Sequence, residues 1–288
     1  PFENKGADED VFFSYGISAD LVSEISSAGV IRVASIKEIE ELGDMPFKEK
    51  AKALVVRYVA NGSLWKMGNQ FQVSVELFDT VESKVIWSDR WEEAWENLTT
   101  IKEKLSKNVL EVLNKNSNIV DSISHANTEA YEYYLRAKHK LDSPTCSRED
   151  IKIGIDLAKK SIDLDKNLIE PRELLVSYHM MKSEYSVLIP MIEEIIDVLK
   201  NSKKKRDVIL LFKTQAFLLF AKGIVANMSG KEDALDESVF PYELMYDYLN
   251  KALDISLEME DLKRVVEVRN FLAGMLGLEN KREESIKV

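Results

Sequence analysis

Between Gln70 and Phe78 the apolar positions fall on every second residue: Phe71, Val73, Val75 and Leu77 alternate with Gln70, Gln72, Ser74 and Glu76. Period two marks a strand with one buried face. Val85–Trp91 reads as the next strand. The stretch before Lys66 is apolar at both parities, with Leu54, Val56 and Tyr58 interleaved with Val55, Arg57 and Val59. It predicts a first long strand partly covered on both sides. The turn Lys66–Asn69 offers Gly68 and Asn69 for positive φ, and Asp79–Lys84 forms the second turn. Gly62, inside the first strand, signals a bulge or a close backbone approach. Val56–Trp91 therefore predicts a three-stranded meander.

The pattern changes to period 3.6 on either side. Leu21, Val22 and Ile25 form a stripe that predicts a helix capped by Ser18 and ended by Gly29. Val30–Ser35 reads as a short strand, and Pro46–Leu54 as a short helix with Pro46 in its first turn. After the meander, Leu98, Ile101, Leu105, Val109 and Leu113 keep helical spacing behind Asn97 as cap. Strands and helices in this order imply an α+β domain. Beyond residue 118 strand signals nearly vanish. A helix capped by Thr128 carries Tyr131, Tyr134, Leu135 and Lys138 along one side. In the next, Gly154, Ala158 and Ser161 would let two helices approach closely. About seven or eight helices are expected, paired as antiparallel hairpins that stack into a solenoid. The predicted domains are 1–117, α+β, and 118–288, an all-α helical-repeat domain.

Composition changes this picture little. The 288 residues are 45% hydrophobic and 31% charged, with net charge −11. Acidity spread over both parts argues against a nucleic-acid partner, whose phosphates require a basic face. Cys146 is the only cysteine, which fits a reducing compartment. No apolar run is read as reaching the about 18–20 residues that span a bilayer, so no membrane insertion is expected. The opening PFENKGADED has no signal-peptide character and starts at what looks like a strand end, which suggests a piece of a longer chain.

The segments PFEN, YGISADLVSEIS and AKALVVRYVANGSLWKMGNQFQVSVELFDTVESKVIWSDRW together resemble the TolB N-terminal-like regulatory domain. The matching positions are Pro1, Phe2, Asn4, Gly16, Arg57, Tyr58, Val59, Gly62, Ser63, Gly68, Asn69, Val75, Phe78, Asp79 and Trp87. Val55 replaces a common Gly, and Phe78 stands where Ile or Val is usual. The resemblance covers the first 115 residues or so. In that family the domain follows adenylate or guanylate cyclase, kinase or winged-helix effector domains and leads into tetratricopeptide repeats. The second part is similar to degenerate repeats of that kind. Ala252, Leu253, Ile255, Leu257, Leu272, Ala273 and Leu276 hold repeat positions, and Lys166 replaces the usual Pro after DLD.

Chemistry-bearing residues are few. His125, His139 and His179 are isolated, Cys146 has no His beside it, and there is no Gly-rich phosphate loop. No catalytic, metal or cofactor site is expected. Trp87 and Trp91 read as core and as cover for the following helix, with Trp95 the most exposed of the three. Glu92, Glu93 and Glu96 form an acidic cluster, read as solvent-facing charges near a helix start. Lys203–Arg206 is a basic run, read as a solvated loop. On the inner curve of the repeats Arg172, Tyr178, Lys182, Lys213 and Phe217, with Trp95 elsewhere, are the candidate partner-binding residues, suited to an extended acidic peptide.

The expected function is a non-catalytic regulatory and protein-interaction region of a bacterial signalling protein associated with a nucleotide cyclase, cytoplasmic, with a homodimer through an exposed edge strand. The rivals are a periplasmic accessory domain, a small-molecule sensor, and an enzyme in its own right.

Overall fold

The structure, a computed structural model, describes residues 1–27, 31–113, 127–143, 146–203, 205–229, 240–259 and 262–278. The chain divides into two compact units, Pro1–Leu168 and Ile169–Val288. The pattern change near residue 118, together with His125, lies outside the described residues, as do Gly29 and Val30.

The first unit holds a four-stranded mixed sheet in the order β1 (Glu3–Asn4), β2 (Tyr58–Met67), β3 (Gln70–Asp79), β4 (Lys84–Ala94). β2, β3 and β4 form the antiparallel meander, and β1 pairs with β2 in parallel. Among the described residues no strand pairs with the outer edge of β4. Around the sheet lie α1 (Val11–Ser27), α2 (Ile36–Glu41), α3 (Phe47–Ala53), α4 (Leu98–Val112), α5 (Thr128–Asp142) and α6 (Arg148–Leu164).

The alternation in β3 sets the core: Phe71, Val73, Val75 and Leu77 are all buried, as are Leu98, Ile101, Leu105 and Val109 of α4. Phe13 of α1 meets Phe71 edge to face, with ring centroids 4.9 Å apart. Each such side chain contributes about 1.5–3 kcal/mol by leaving water. Gly62 is a close approach and not a bulge. A Cβ there would lie 2.5 Å from the Ser74 carbonyl oxygen and 3.1 Å from the Phe2 ring. The bulge falls instead between Leu77 and Phe78. Gly68 alone of its turn takes positive φ, +58°.

Several local expectations are corrected. Residues 54–57 are not strand: Leu54 caps α3, and Val55 turns the chain with φ +53°. Residues 31–35 are not strand either. Ser18 is no cap, since α1 begins at Val11; its buried hydroxyl donates to the Ser14 carbonyl and accepts from the Phe2 amide. The Asn97 side chain turns away from the α4 amides and donates to Glu93. Asn127, not Thr128, caps α5, accepting from the Glu129 and Ala130 amides. Gly16 lies inside α1, where a Cβ would meet Leu135 Cδ2 at 2.6 Å.

Arg57 and Asp79 staple the end of the β2–β3 pair. Arg57 Nε and Nη2 both donate to Asp79 Oδ2, at 3.0 and 2.7 Å, while Oδ1 accepts from the Val81 and Glu82 amides. The Arg57 bonds hold the Asp79 carboxyl at about 2, against an opposing effect of desolvation. Asp79→Asn is expected to lower the melting temperature at neutral pH. Because the folded state favours the ionised form, that deficit shrinks as the pH falls through about 2, which thermal scans from pH 7 downward would check.

α5 and α6 form a close hairpin. Gly154, Ala158 and Ser161 are buried in the seam, a Cβ on Gly154 would meet Leu141 Cγ at 2.7 Å, and Ser161 Oγ donates to the Ala130 carbonyl. The hairpin belongs to the first compact unit.

The second unit contains α7 (Glu170–Met181), α8 (Tyr185–Leu199), α9 (Lys205–Met228), α10 (Tyr242–Glu258) and α11 (Leu262–Leu278), each packed on the next. Contacts between the helices fix the directions. Arg172 at the start of α7 faces Glu194 late in α8, Tyr185 at the start of α8 meets Phe220 late in α9, and Lys205 at the start of α9 binds Glu258 at the end of α10. Neighbouring helices thus run antiparallel, and α7, α9 and α11 run parallel.

Residues 207–228 of α9 correct one expectation: the helix is 22 residues long with a mean hydropathy of 1.8 over its most apolar 18, long and apolar enough to cross a membrane by length and composition. Here the helix packs against both α8 and α10. Its buried Ile209, Ala216 and Ala221 join two apolar clusters, and Lys213 and Lys222 are ion-paired.

Candidate functional site

The parallel helices α7, α9 and α11 share one face, built in two layers. Each helix presents a charge and, one turn later, an apolar group: Glu173 then Val176, Lys213 then Phe217, Glu267 then Phe271. Spacings of three or four residues put both members on one side of a helix. In the charged layer Lys213 Nζ donates to Glu267 Oε2 at 2.5 Å. In the apolar layer Phe217 and Phe271 meet with centroids 6.2 Å apart, and Val176 joins Phe217 around Leu188, Ile192 and Ala221.

Glu173 is exposed on α7, although protein atoms crowd around its carboxyl. Burial pushes it up to about 7; Glu170 and Glu267 add to the rise, while Lys213 and Arg264 oppose it. No hydrogen bond or ion pair holds this carboxyl among the described residues. Sequence reading missed Glu173, because a single Glu in a helix carries no mark until the neighbouring helices are placed.

The residues singled out from sequence divide. Lys213 and Phe217 belong to the shared face. Arg172 is buried against Glu194 of α8, 3.6 Å away. Lys182 is exposed past the end of α7, its ammonium 6.0 Å from the Tyr178 ring. Tyr178 also stacks edge-on with His179. Trp95 is half-buried, its indole N–H donating to Glu132 of α5 at 2.9 Å. The cations suited to an acidic peptide are therefore already engaged at Arg172 and Lys213.

The remaining singled-out groups serve the fold. Trp87 and Trp91 pair with Leu77 and Val73 on the buried face of the sheet. Glu93 is turned inward, binding Lys104 and Asn97, whereas Glu92 and Glu96 are exposed. Lys205 opens α9 and does not lie in a loop. His179 Nδ1 lies 2.6 Å from Glu184 Oε2 and closes the α7–α8 turn, a partner five residues away that helical spacing does not suggest.

A second cluster lies inside the first unit, between α1 and α5. Asp20 is buried, and its carboxylate accepts from Tyr131 Oη at 2.6 Å, Tyr134 Oη at 3.0 Å and Lys138 Nζ at 3.2 Å. Burial opposes its charge, but Lys138, Lys102 and the two hydroxyls together hold it below the ordinary carboxylate range. Alongside, burial and the nearby Asp142 push the Tyr15 hydroxyl up. Burial also raises Asp142, against the pull of Lys138, and lowers His139.

A stretch of 149 residues is 22% identical to a curated Rhizobium meliloti (strain 1021) protein named "Putative adenylate cyclase 3". The match takes in 49% of this chain and 25% of that protein. The similarity associates the chain with a cyclase protein, of which it spans a quarter of the length. No family model matches the chain.

Proposed function

We propose that this chain is a non-catalytic regulatory region of a cyclase-associated signalling protein, and that the face of α7, α9 and α11 receives a protein partner. In this reading the sheet-containing unit is a TolB N-terminal-like domain and the helices of the second unit are degenerate tetratricopeptide repeats. The observation that carries it is the layered face: three parallel helices offer a charged row beside an apolar row with two aromatic rings, the two ingredients of a peptide-receiving surface. The likeness to the cyclase protein supports the association with cyclic-nucleotide signalling. A carboxylate hub between α1 and α5 gives the first unit a fixed arrangement through which a bound state can act.

The test has two arms. The purified chain incubated with ATP or GTP is expected to make no cyclic nucleotide. In the natural protein, Lys213→Glu is expected to change cyclase output and to destabilise the second unit by about 1 kcal/mol, a figure kept low because water screens a half-exposed pair. The double change Lys213→Glu with Glu267→Lys restores the pair and is expected to restore the stability. Cyclase output indifferent to every change on this face would sink the reading.

A further inference from the structure

We propose that β4 carries a latent pairing edge for a second copy of this chain, and that Asp89 holds that edge shut.

The main-chain directions along β4 follow from one hydrogen bond. The Trp95 amide donates to the Asn69 carbonyl at 2.8 Å, and the β3–β4 register runs without a shift from Gln70–Ala94 to Leu77–Trp87. Ladder hydrogen bonds alternate along an antiparallel pair. Trp87, Asp89 and Trp91 therefore turn their main-chain groups toward β3. Ser88, Arg90 and Glu92, all exposed, turn theirs to the edge that no described strand pairs. The side chains of Trp87, Asp89 and Trp91 share the face of Leu77, Val75 and Val73, the buried face of the sheet.

This arrangement invites self-pairing. Asp89 is the middle residue of the 11 in β4. Two copies aligned antiparallel over the whole strand, about a two-fold axis, set Trp87 of each beside Trp91 of the other. Cross-strand aromatic pairs of this kind stabilise a sheet. The same alignment puts Asp89 on the axis, opposite its own copy, in a pair of the close type with Cα atoms about 4.5 Å apart. Like charges directly opposite each other are destabilising. Asp89 also blocks the edge a second way. Its Oδ1 accepts from the Arg90 amide at 2.8 Å, the amide that would otherwise donate to the Ser88 carbonyl of the second copy. The Arg90 side chain is turned to the other face, where Nη2 donates to Gln72 Oε1 at 2.5 Å. An inward-pointing charge on an edge strand is a device by which sheets avoid edge-to-edge pairing.

Sedimentation and amide hydrogen exchange of the whole chain test this together. In the wild type the Ser88 and Glu92 amides are expected to exchange fast at every concentration. Asp89→Val removes both blocks with a strand-forming residue at an exposed position. It is expected to form a concentration-dependent species of twice the wild-type mass, with Ser88, Arg90 and Glu92 protected. Asp89→Asn keeps an acceptor for the Arg90 amide without the charge. Its association is expected to be detectable but at least about tenfold weaker than that of Asp89→Val, the scale of a hydrogen bond. Asp89→Cys combined with Cys146→Ser checks the alignment. Mild oxidation is expected to link two such chains, because the close pair on the axis suits a disulfide, and to link Ser88→Cys in the same background far less. Asp89→Val that keeps the wild-type mass overturns the latent edge. Association that leaves the Ser88 and Glu92 amides exchanging fast overturns β4 as its site. Slow exchange of those amides in the wild type overturns the guard. Linkage as ready through Ser88→Cys as through Asp89→Cys overturns the alignment.

Discussion

Replacing Asp20 by alanine is expected to destabilise the first unit by about 3–5 kcal/mol, the cost of breaking a buried ion pair by removing one partner. The change strands two tyrosine hydroxyls and the Lys138 ammonium, all pointed at the missing carboxylate. Denaturant unfolding followed by tryptophan fluorescence measures it. Asp20→Asn keeps one acceptor oxygen and loses the charge, so a smaller loss is expected. Lys138→Met in the Asp20→Ala background removes the stranded charge and is expected to recover part of the loss, a coupling that a double-mutant cycle isolates. The folded state holds Asp20 ionised more firmly than the unfolded chain does. Its contribution is therefore complete well above the ordinary value of 3.8 and drains away as the pH falls below it. Equal stability of the wild type and Asp20→Ala would show that the hub holds nothing together.

Gly62→Ala is expected to cost about 2–3 kcal/mol, at the upper end for forcing extra atoms into a packed interior. The obstacle is main chain. The new methyl would face the Ser74 carbonyl oxygen at 2.5 Å, and a strand held on both sides cannot retreat as a flexible side chain can. The Phe2 ring closes the other direction at 3.1 Å. For a unit of this size each kcal/mol lowers the melting temperature by about 2–4 °C. Gly68→Ala is the control: nothing lies within 4 Å of its Cβ position, and only its φ of +58° resists, so a loss of about 1 kcal/mol is expected. If the two substitutions cost the same, the close approach at Gly62 is not what that glycine serves.

What the sequence made legible follows from what is periodic. The meander, the buried row of β3, the α4 stripe and the small-residue seam of α6 each repeat a simple spacing, and the structure bears them out. Starts and stops were less legible. Ser18, Asn97 and Thr128 all have cap chemistry, but each hydrogen-bonds elsewhere because the surrounding fold offers a better partner. Apolar residues at both parities around Leu54 suggested a strand covered on two sides, whereas they belong to the end of a helix and a turn. The candidate site was partly legible: Lys213 and Phe217 were found as residues of an inner helix. Glu173 was not, since its raised carboxyl follows first from the protein packed around it, which the spacing along its own helix does not show. Arg172 looked like a surface cation because nothing local shows that Glu194 covers it.

The edge of β4 that no described strand pairs has one more consequence. Exposed strand edges invite identical chains to add on, and the segments that stack into fibrils are uncharged and apolar over six or seven residues. Lys84–Ala94 offers no such window, because Asp89, Arg90, Glu92 and Glu93 interrupt its length. Those charges disfavour amyloid-like growth along this edge.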